Sequence, residues 1–272
     1  MSSDAVLFST LVGDDFRDVA VDAARRAGAF LRSRFGSRPA VSYKGSPTNL
    51  VTEMDRGAEA IIVEAIRARF PDHAILAEEL GGSGTIPPGP CWVFDPIDGT
   101  TNFAHGMPIF CASVALEVGG DSRVAAVYDP TRKELFTAER GQGAFLNGRR
   151  IEVSQAATLL DSMLVTGFPY DVHERVDEIV GLFGRFVGKA RAVRRLGSAA
   201  IDLCYVAAGR MDGFWESDLK PWDIAGGSLI VMEAGGTVTN MAGEPFSSRG
   251  RHVLASNGRI HDAMLEVIRN AR

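Results

Sequence analysis

The sequence is poor in cysteine and contains no long apolar run. Its three cysteines, Cys91, Cys111 and Cys204, are odd in number and lack the C-x-x-C spacing of zinc and redox sites. This usage disfavours a disulfide framework or a zinc site and fits a reducing cytoplasm. No segment approaches about 18 consecutive apolar residues, and no basic stretch precedes an apolar run near Met1, so we expect neither a membrane span nor a signal peptide.

The sequence has no excess of positive charge and lacks several catalytic signatures. The formal net charge of −5 disfavours a broad nucleic-acid-binding surface. One basic cluster, Lys189, Arg191, Arg194 and Arg195, is interpreted as a solvated or interface stretch rather than an RNA site. The absence of G-x-x-x-x-G-K-[ST] argues against a P-loop NTPase, and the absence of H-E-x-x-H or a Cys/His cluster argues against zinc chemistry.

The remaining composition is that of a globular protein, with 46% apolar and 23% charged residues among 272. Apolar periodicity predicts helices over about 14–35, 52–71, 172–187, 198–208, from 223 and over 261–272, and strands at 74–77, 91–94, 163–166 and 212–215. Between 110 and 153 the pattern is strand–turn–strand, and Asn147-Gly148 predicts a hairpin turn because both residues tolerate positive φ. The chain is therefore expected to be a mixed α/β protein whose sheets are covered by helices.

The most informative segment reads Asp-Pro-Ile-Asp-Gly-Thr-Thr-Asn-Phe from Asp95 onward, directly after an apolar strand. Pro96 is expected to stop this strand, because it has no N–H for the ladder. Asp98 follows on the same loop, Gly99 permits a tight turn, and Thr100 can start a helix whose free N–H groups suit a phosphate. Taken alone, the two aspartates are equally well interpreted as turn and N-cap residues.

Further acids stand where strands end or helices begin. Glu78 and Glu79 close the strand predicted at 74–77, and Asp223 follows Trp222 at a helix start. Each alone reads as a solvated strand end or a helix cap, but together they form a set of hard oxygen ligands that suits Mg²⁺ or Mn²⁺. The D-x-x-D spacing differs from the D-x-D of phosphatases with an aspartyl nucleophile and favours attack by water.

Four separated motifs resemble those of the inositol monophosphatase family, within the superfamily of lithium-sensitive, magnesium-dependent sugar phosphatases. They are Leu50-Val-Thr-Glu-Met-Asp55, Ala77-Glu-Glu, the segment from Asp95 to Phe103, and Trp222-Asp-Ile-Ala-Gly-Gly with Glu233-Ala-Gly-Gly. The resemblance runs from about Asp14 to Arg272 and implies a layered α-β-α-β-α sandwich. It implies an N-terminal half, 1–153, with most metal ligands, and a C-terminal half, 154–272, with the substrate loop and the last ligand, packed as one unit.

The resemblance also implies the site. Two to three Mg²⁺ ions, with Mn²⁺ as a possible substitute, would bind the following groups: Glu78, Asp95 and the carbonyl of Ile97 at the first position; Asp95, Asp98 and Asp223 at the second; and Glu78, through waters, at a weaker third. Gly99 and Thr100 would offer N–H groups to the phosphate. Thr100 and Glu78 would orient a water activated by metal, with Asp55 supporting Thr100.

Two of these positions have simpler explanations. Thr52 and Asp55 also read as the N-cap and N3 residues of a capping box, and both roles can hold together. Lys44 matches a basic loop residue near the metals of the family, although on the residues alone it reads as a solvated lysine. Asn49 departs from the family, whose members often carry an acid there.

Substrate choice is expected to lie in the second half of the chain. Gly197, Ser198 and Ala199 match the polyol-contacting loop of the family, and Ser198 also reads as a helix N-cap. Glu216, seven residues before Asp223, matches a hydroxyl-binding acid that would repel a second phosphate, although it could be a plain surface acid. These matches favour inositol 1-phosphate as the substrate.

Several alternatives stay open at this point. Histidinol phosphate, fructose 1,6-bisphosphate or a nucleotide 3′-phosphate could be the substrate, because related folds serve all of them. The protein could also be a regulatory protein that binds the transcription machinery, although such a role does not require the intact ligand set. The resemblance further implies a cytoplasmic homodimer, inhibited by lithium, with no membrane partner.

Overall fold

The structure, a computed structural model, describes residues 13–37, 41–43, 50–81, 87 and 89–270. The α-helices of this part are α1 (Gly13–Arg34), α2 (Glu53–Arg69), α3 (Thr100–Ala104), α4 (Val176–Val187), α5 (Ala199–Ala207), α6 (Pro221–Glu233) and α7 (His261–Arg269). The strands are β1 (Val41–Tyr43), β2 (Leu50–Thr52), β3 (Ala74–Ala77), β4 (Pro90–Asp98), β5 (Cys111–Val118), β6 (Asp121–Asp129), β7 (Glu134–Glu139), β8 (Gly143–Leu146), β9 (Arg149–Ile151), β10 (Met163–Thr166), β11 (Ala192–Arg194), β12 (Gly213–Glu216), β13 (Thr237–Thr239) and β14 (Val253–Ser256).

Two large sheets organise the chain. The first has seven strands in sequence order, β3 to β9, and is antiparallel except for the parallel pair β3–β4. The second has five strands in the order β11-β10-β12-β14-β13 and is mixed, with β10 parallel to both of its neighbours. A short antiparallel pair, β1–β2, stands apart from both.

Helices cover both faces of each sheet and give five layers. Helices α1 and α2 pack on one face of the seven-stranded sheet, through buried residues such as Leu31 and Ile62. Helices α5 and α6 fill the space between the two sheets, with Leu203 and Ile230 in the shared core. Helices α4 and α7 cover the outer face of the five-stranded sheet. The α-β-α-β-α sandwich is therefore confirmed.

Most of strand β4 is apolar because helices cover it on both faces. Trp92 and Phe94 point into the core beneath α1 and α2, whereas Cys91 and Val93 point to the opposite face, toward Ala225 on α6. Successive side chains of a strand alternate between faces, so a strand covered on both sides has no polar face. The three cysteines are all free and buried. No helix within the described residues is both long and apolar enough to cross a membrane.

Most predicted elements are confirmed, including the first two helices, the strands 74–77 and 163–166 and the Asn147-Gly148 turn, where both residues have positive φ. The predicted stop of β4 at Pro96 is wrong. The ladder continues to Asp98, because one extra residue forms a bulge between the pairs Asp95–Ser113 and Asp98–Cys111. The N–H of Ile97, which leaves the ladder there, donates to Asp95 Oδ1 at 2.8 Å.

Other differences are small. The helix expected over 172–187 is a 3₁₀ turn at Val172–Glu174 followed by α4, and the helix expected from 223 already begins at Pro221. The short strands β11, β13 and β14 were not predicted. Strands β11 and β13 have only three residues each, which is too short for a pattern to stand out in the sequence.

Two glycines inside helices should respond in opposite directions to the same substitution. A methyl group on Gly227 of α6 would lie 2.7 Å from the Cβ of Leu203 on α5, so Gly227→Ala should lower the free energy of unfolding by about 1–3 kcal/mol. Gly181 of α4 has open space around it, so Gly181→Ala should raise the free energy of unfolding by about 0.5–1 kcal/mol. Urea unfolding measures both, and a stabilised Gly227→Ala variant would contradict the close α5–α6 contact.

Candidate active site

A cleft of about 770 Å³ opens where the two sheets and their shared helix layer meet. It lies beside the ends of β3, β4 and β12 and the starts of α3, α5 and α6. Of the residues predicted from the sequence, the following line it: Glu78, Asp95, Ile97, Asp98, Gly99, Thr100, Gly197, Ser198, Ala199, Glu216 and Asp223. Segments separated by more than 100 residues are thus brought to one cavity.

The bulge at the end of β4 aims two carboxylates at this cleft. Asp95 and Asp98 are 3% and 8% exposed. Gly99 then turns the chain with φ of 97°, in the left-handed region, and becomes the N-cap of α3. A side chain on Gly99 would lie 2.8 Å from the carbonyl oxygen of Ile109. Glycine is therefore required here both by the backbone and by space.

Asp55 supports the site from behind, and both of its suggested roles are present. Its Oδ2 accepts from the N–H of Thr52 at 2.8 Å and from Oγ1 of Thr52 at 2.6 Å, as part of the capping box of α2. Its Oδ1 accepts from Oγ1 of Thr100 at 2.9 Å. The Thr100 hydroxyl also lies 3.0 Å from the carbonyl of Ile97. Asp55 therefore orients the hydroxyl of Thr100, a residue that lines the cleft.

Asp98 connects the two large parts of the structure. Its Oδ2 accepts from Oγ of Ser198 at 2.7 Å and from the N–H of Ala200 at 2.6 Å, at the start of α5. Ser198 is also the N-cap of α5, and its hydroxyl accepts from the N–H of Ile201. The N-cap interpretation of Ser198 is thus correct, and it coexists with a place on the wall of the cleft.

Asn102 is a structural residue of the site that sequence reasoning missed. Its Nδ2 donates to the carbonyls of Ile109 and Leu196, both at 2.8 Å. It thereby joins α3 to the loop that precedes α5. The signal was its place inside the segment from Asp95 to Phe103, but its partners lie too far along the chain to be inferred from spacing.

Glu216 lies inside the cleft and is not a surface acid. It ends β12, is 8% exposed, and burial raises its pKa to about 8, against the opposing charge of Arg195. Arg195 itself lines the cleft, with its guanidinium 5.9 Å from the ring centroid of Phe168. Arg195 is exposed, as expected for the solvated or interface stretch to which it belongs, and it also lines the cleft.

Glu78 and Glu79 follow β3, and a buried side chain from α2 fixes their backbone. Oε2 of Glu59 accepts from the N–H of Glu79 at 3.0 Å and from the N–H of Leu80 at 3.1 Å. Carboxylate oxygens of Asp55, Glu78 and Glu79 lie within 4.8 Å of one another. The predicted Lys44 and the departing Asn49 lie outside the described residues.

The buried carboxyl groups of the cleft have raised pKa values, which a nearby positive charge would lower. Burial, followed by the charges of Glu78, Asp98 and Asp223, raises the pKa of Asp95 well above its ordinary value. Burial likewise raises the pKa of Asp223, although the N–H of Lys220 donates to its carboxylate at 2.7 Å. Within the described ranges no Lys or Arg forms an ion pair with Asp95, Asp98 or Asp223. Carboxylates are hard oxygen donors that fit a divalent metal, and the oxygens of Asp55, Glu78 and Glu79 lie close enough together to form an acidic cluster that could bind one.

Comparison with known proteins agrees with this geometry. The chain matches the family model described as the inositol monophosphatase family over residues 13–272. It is 46% identical over 251 residues to an inositol-1-monophosphatase of Synechocystis, covering 92% of this chain and 88% of that protein. It is 44% identical over 255 residues to the Nus factor SuhB of Escherichia coli K12, covering 93% and 95%. The solved inositol monophosphatase of Anabaena superposes with a TM-score of 0.85 at 41% identity, over 94% and 96% of the two chains.

The five-layered fold, the acidic cleft and these relatives define an enzyme of the phosphatase class, a hydrolase. Within that class, the chain belongs to the inositol monophosphatase family, and the match extends over nearly its whole length. The resemblance inferred from the four motifs is therefore confirmed.

The raised pKa of Asp95 predicts how the metal-free protein responds to pH. The folded state binds this proton more tightly than the unfolded state does, so stability is lost as the pH rises from about 4 toward the raised pKa. Asp95→Asn removes the charge and keeps an oxygen for the N–H of Ile97. In the presence of a chelator at pH 8, this variant should be more stable than the wild type by about 1–3 kcal/mol.

Urea unfolding at pH 5 and pH 8 checks this expectation, and the difference between Asp95→Asn and wild type should shrink at pH 5. Asp72→Asn, at an exposed position, serves as the control and should not change stability with this pH pattern. If wild type and Asp95→Asn had the same free energy of unfolding at pH 8, the buried carboxylate would not destabilise the folded protein.

Proposed function

We propose that this phosphatase hydrolyses the monophosphate ester of a small polyol, with inositol 1-phosphate as the substrate, and that it requires Mg²⁺. The observation that carries the proposal is the convergence of Asp95, Asp98 and Asp223 on one cleft without a basic partner among the described side chains. The name of the Synechocystis relative supports the choice of ester.

The proposed metal ligands are the carboxylates and one carbonyl at the floor of the cleft, namely Glu78, Asp95, Ile97, Asp98 and Asp223. Two to three ions are proposed, with Mn²⁺ as a substitute because it accepts the same hard oxygen ligands. When bound, such ions supply Lewis acidity, which lowers the pKa of a nearby water and offsets charge on the phosphate and the leaving oxygen.

The protein groups then have separate tasks. Thr100 and Glu78 are proposed to orient the attacking water, and Asp55 holds the Thr100 hydroxyl for that purpose through the 2.9 Å hydrogen bond. The N–H groups of Gly99 and Thr100, at the start of α3, are proposed to bind the phosphoryl oxygens, because the first N–H groups of a helix have no acceptor within it. Such donors stabilise negative charge as it develops.

The opposite wall of the cleft is proposed to bind the polyol. Gly197, Ser198 and Ala199 form one side of this wall, and Glu216 supplies a carboxylate that can accept hydrogen bonds from hydroxyl groups. When Glu216 is ionised, above its pKa of about 8, its carboxylate disfavours a second phosphate by charge repulsion, which argues against fructose 1,6-bisphosphate and nucleotide substrates. Lys44 is proposed as a further basic residue of the site on the family resemblance alone.

A second role has one observation in its favour. The Escherichia coli relative, 44% identical, is named a Nus factor, so binding to the transcription machinery is a candidate additional function of this chain. Family membership supports three further proposals: a homodimer, a cytoplasmic location, and inhibition by lithium ions at the position that contains Asp223.

Asp95→Asn should nearly abolish hydrolysis while the fold is kept. Loss of a ligand proposed to bridge two ions removes several kcal/mol of transition-state stabilisation, equivalent to more than about 100-fold in kcat/KM. Hydrolysis of inositol 1-phosphate, with Mg²⁺ and with chelator, measures this effect, and the Mg²⁺-induced rise in melting temperature should also shrink. Asp72→Asn is the control, and equal turnover by Asp95→Asn and wild type would refute the metal assignment.

Glu216→Gln should change substrate preference rather than chemistry. Losing one charge-assisted hydrogen bond to a hydroxyl costs about 1.5–3 kcal/mol, or roughly 10- to 150-fold in kcat/KM for inositol 1-phosphate. An aryl phosphate has no such hydroxyl and should be affected much less. The assay belongs above pH 8, where the carboxyl is charged. Equal slowing of both esters would place Glu216 in the catalytic apparatus, and no slowing would leave inositol specificity without support.

A further inference from the structure

Gly167 follows β10 at the point where the main cleft meets a second cavity of about 350 Å³. The backbone of Gly167 is not in the positive-φ region, in contrast to that of Gly99. A residue with a side chain could therefore adopt this backbone conformation without strain. The reason for glycine at this position must lie in the space around it.

That space is filled by the carboxylate of Glu216. A methyl group built on Gly167 would lie closer than 3.0 Å to Cδ, Oε1 and Oε2 of Glu216, closer than real side-chain contacts allow. All three atoms of the carboxylate therefore occupy the volume that a side chain at position 167 would need. The carboxylate rests directly against the backbone of Gly167.

The two backbones cannot easily separate to relieve such a clash. Thr166 and Trp215, the residues immediately before Gly167 and Glu216, are partners in the parallel β10–β12 ladder. Oγ1 of Thr166 also donates to the carbonyl of Trp215 at 2.6 Å. Because Thr166 and Trp215 are buried, an added side chain at 167 must displace the Glu216 carboxylate rather than the strands.

We propose that Gly167 is a positioning residue that sets the substrate preference of the cleft. Because Gly167 has no side chain, the Glu216 carboxylate can occupy the one position from which it contacts the polyol. This inference rests on the proposed function, in which Glu216 contacts the hydroxyls of the substrate. Any side chain at 167 would displace the carboxylate from its present position, since both residues line the cleft and the second cavity. The groups proposed for metal and phosphate binding lie on other elements and keep their places.

The test compares Gly167→Ala, Glu216→Ala and the double variant with wild type. For each, kcat/KM is measured for inositol 1-phosphate and for 4-nitrophenyl phosphate, and the melting temperature is measured by circular dichroism. Gly184→Ala is the matched control, because a methyl group there meets nothing within 4 Å.

Gly167→Ala should lower the ratio of kcat/KM for inositol 1-phosphate to kcat/KM for 4-nitrophenyl phosphate. The decrease should reach at most the roughly 10- to 150-fold loss expected when the Glu216 carboxylate is removed. In the Glu216→Ala background the same substitution should leave the ratio within about twofold, because the methyl group then occupies vacated volume. The melting temperature lost in Gly167→Ala should return in the double variant. Gly184→Ala should leave the ratio unchanged.

An unchanged ratio in folded Gly167→Ala, with an active wild type, would overturn this proposal alone. The proposal would also be overturned if Gly167→Ala lowered the ratio as much in the Glu216→Ala background as in wild type, because the effect would then not depend on the carboxylate. If Gly167→Ala does not fold, a folded double variant with the ratio of Glu216→Ala supports the proposal and an unfolded one overturns it. A wild type that hydrolyses neither ester would overturn the proposed function and this proposal together.

Discussion

The hydrogen bonds that Asp98 accepts from Ser198 and Ala200 hold the cleft together. They join the end of β4, in the seven-stranded sheet, to the start of α5, in the helix layer between the sheets. The wall of the cleft at the start of α3 and the wall at the start of α5 are then fixed relative to each other by one buried carboxylate. Asn102 reinforces this junction by donating to the carbonyl of Leu196. Because both walls depend on this junction, the site exists only when the layers are packed.

The same region of the cleft gathers buried carboxyl groups that form no ion pair with a Lys or Arg among the residues that the structure describes. Asp95, Asp98 and Asp223 all have raised pKa values, and burial is the first cause for each. A folded chain that holds such groups together gives up stability unless a cation is bound. The cleft therefore keeps these buried carboxyl groups at a cost in stability, as expected where function and packing conflict.

The local elements were largely predictable because their signals lie within a few residues. The capping box of Thr52 and Asp55 and the hairpin at Asn147-Gly148 formed as expected. The error at Pro96 has a clear reason: proline was judged against a regular ladder, whereas a bulge removes the need for its N–H. Strands of three residues, such as β11 and β13, are too short to show a pattern in the sequence, and each is recognised only by its pairing with a neighbouring strand.

By itself, the sequence determined the helices, the longer strands, the acidic residues and the family to which their motifs belong, because those properties reside in short stretches of chain. Only the tertiary structure decided that Asp55 reaches Thr100, that Arg195 faces the cleft, and that the Glu216 carboxylate rests on Gly167. These contacts join residues up to about fifty positions apart. Spacing along the chain carries no information about them, since they arise from how the sheets and helices pack.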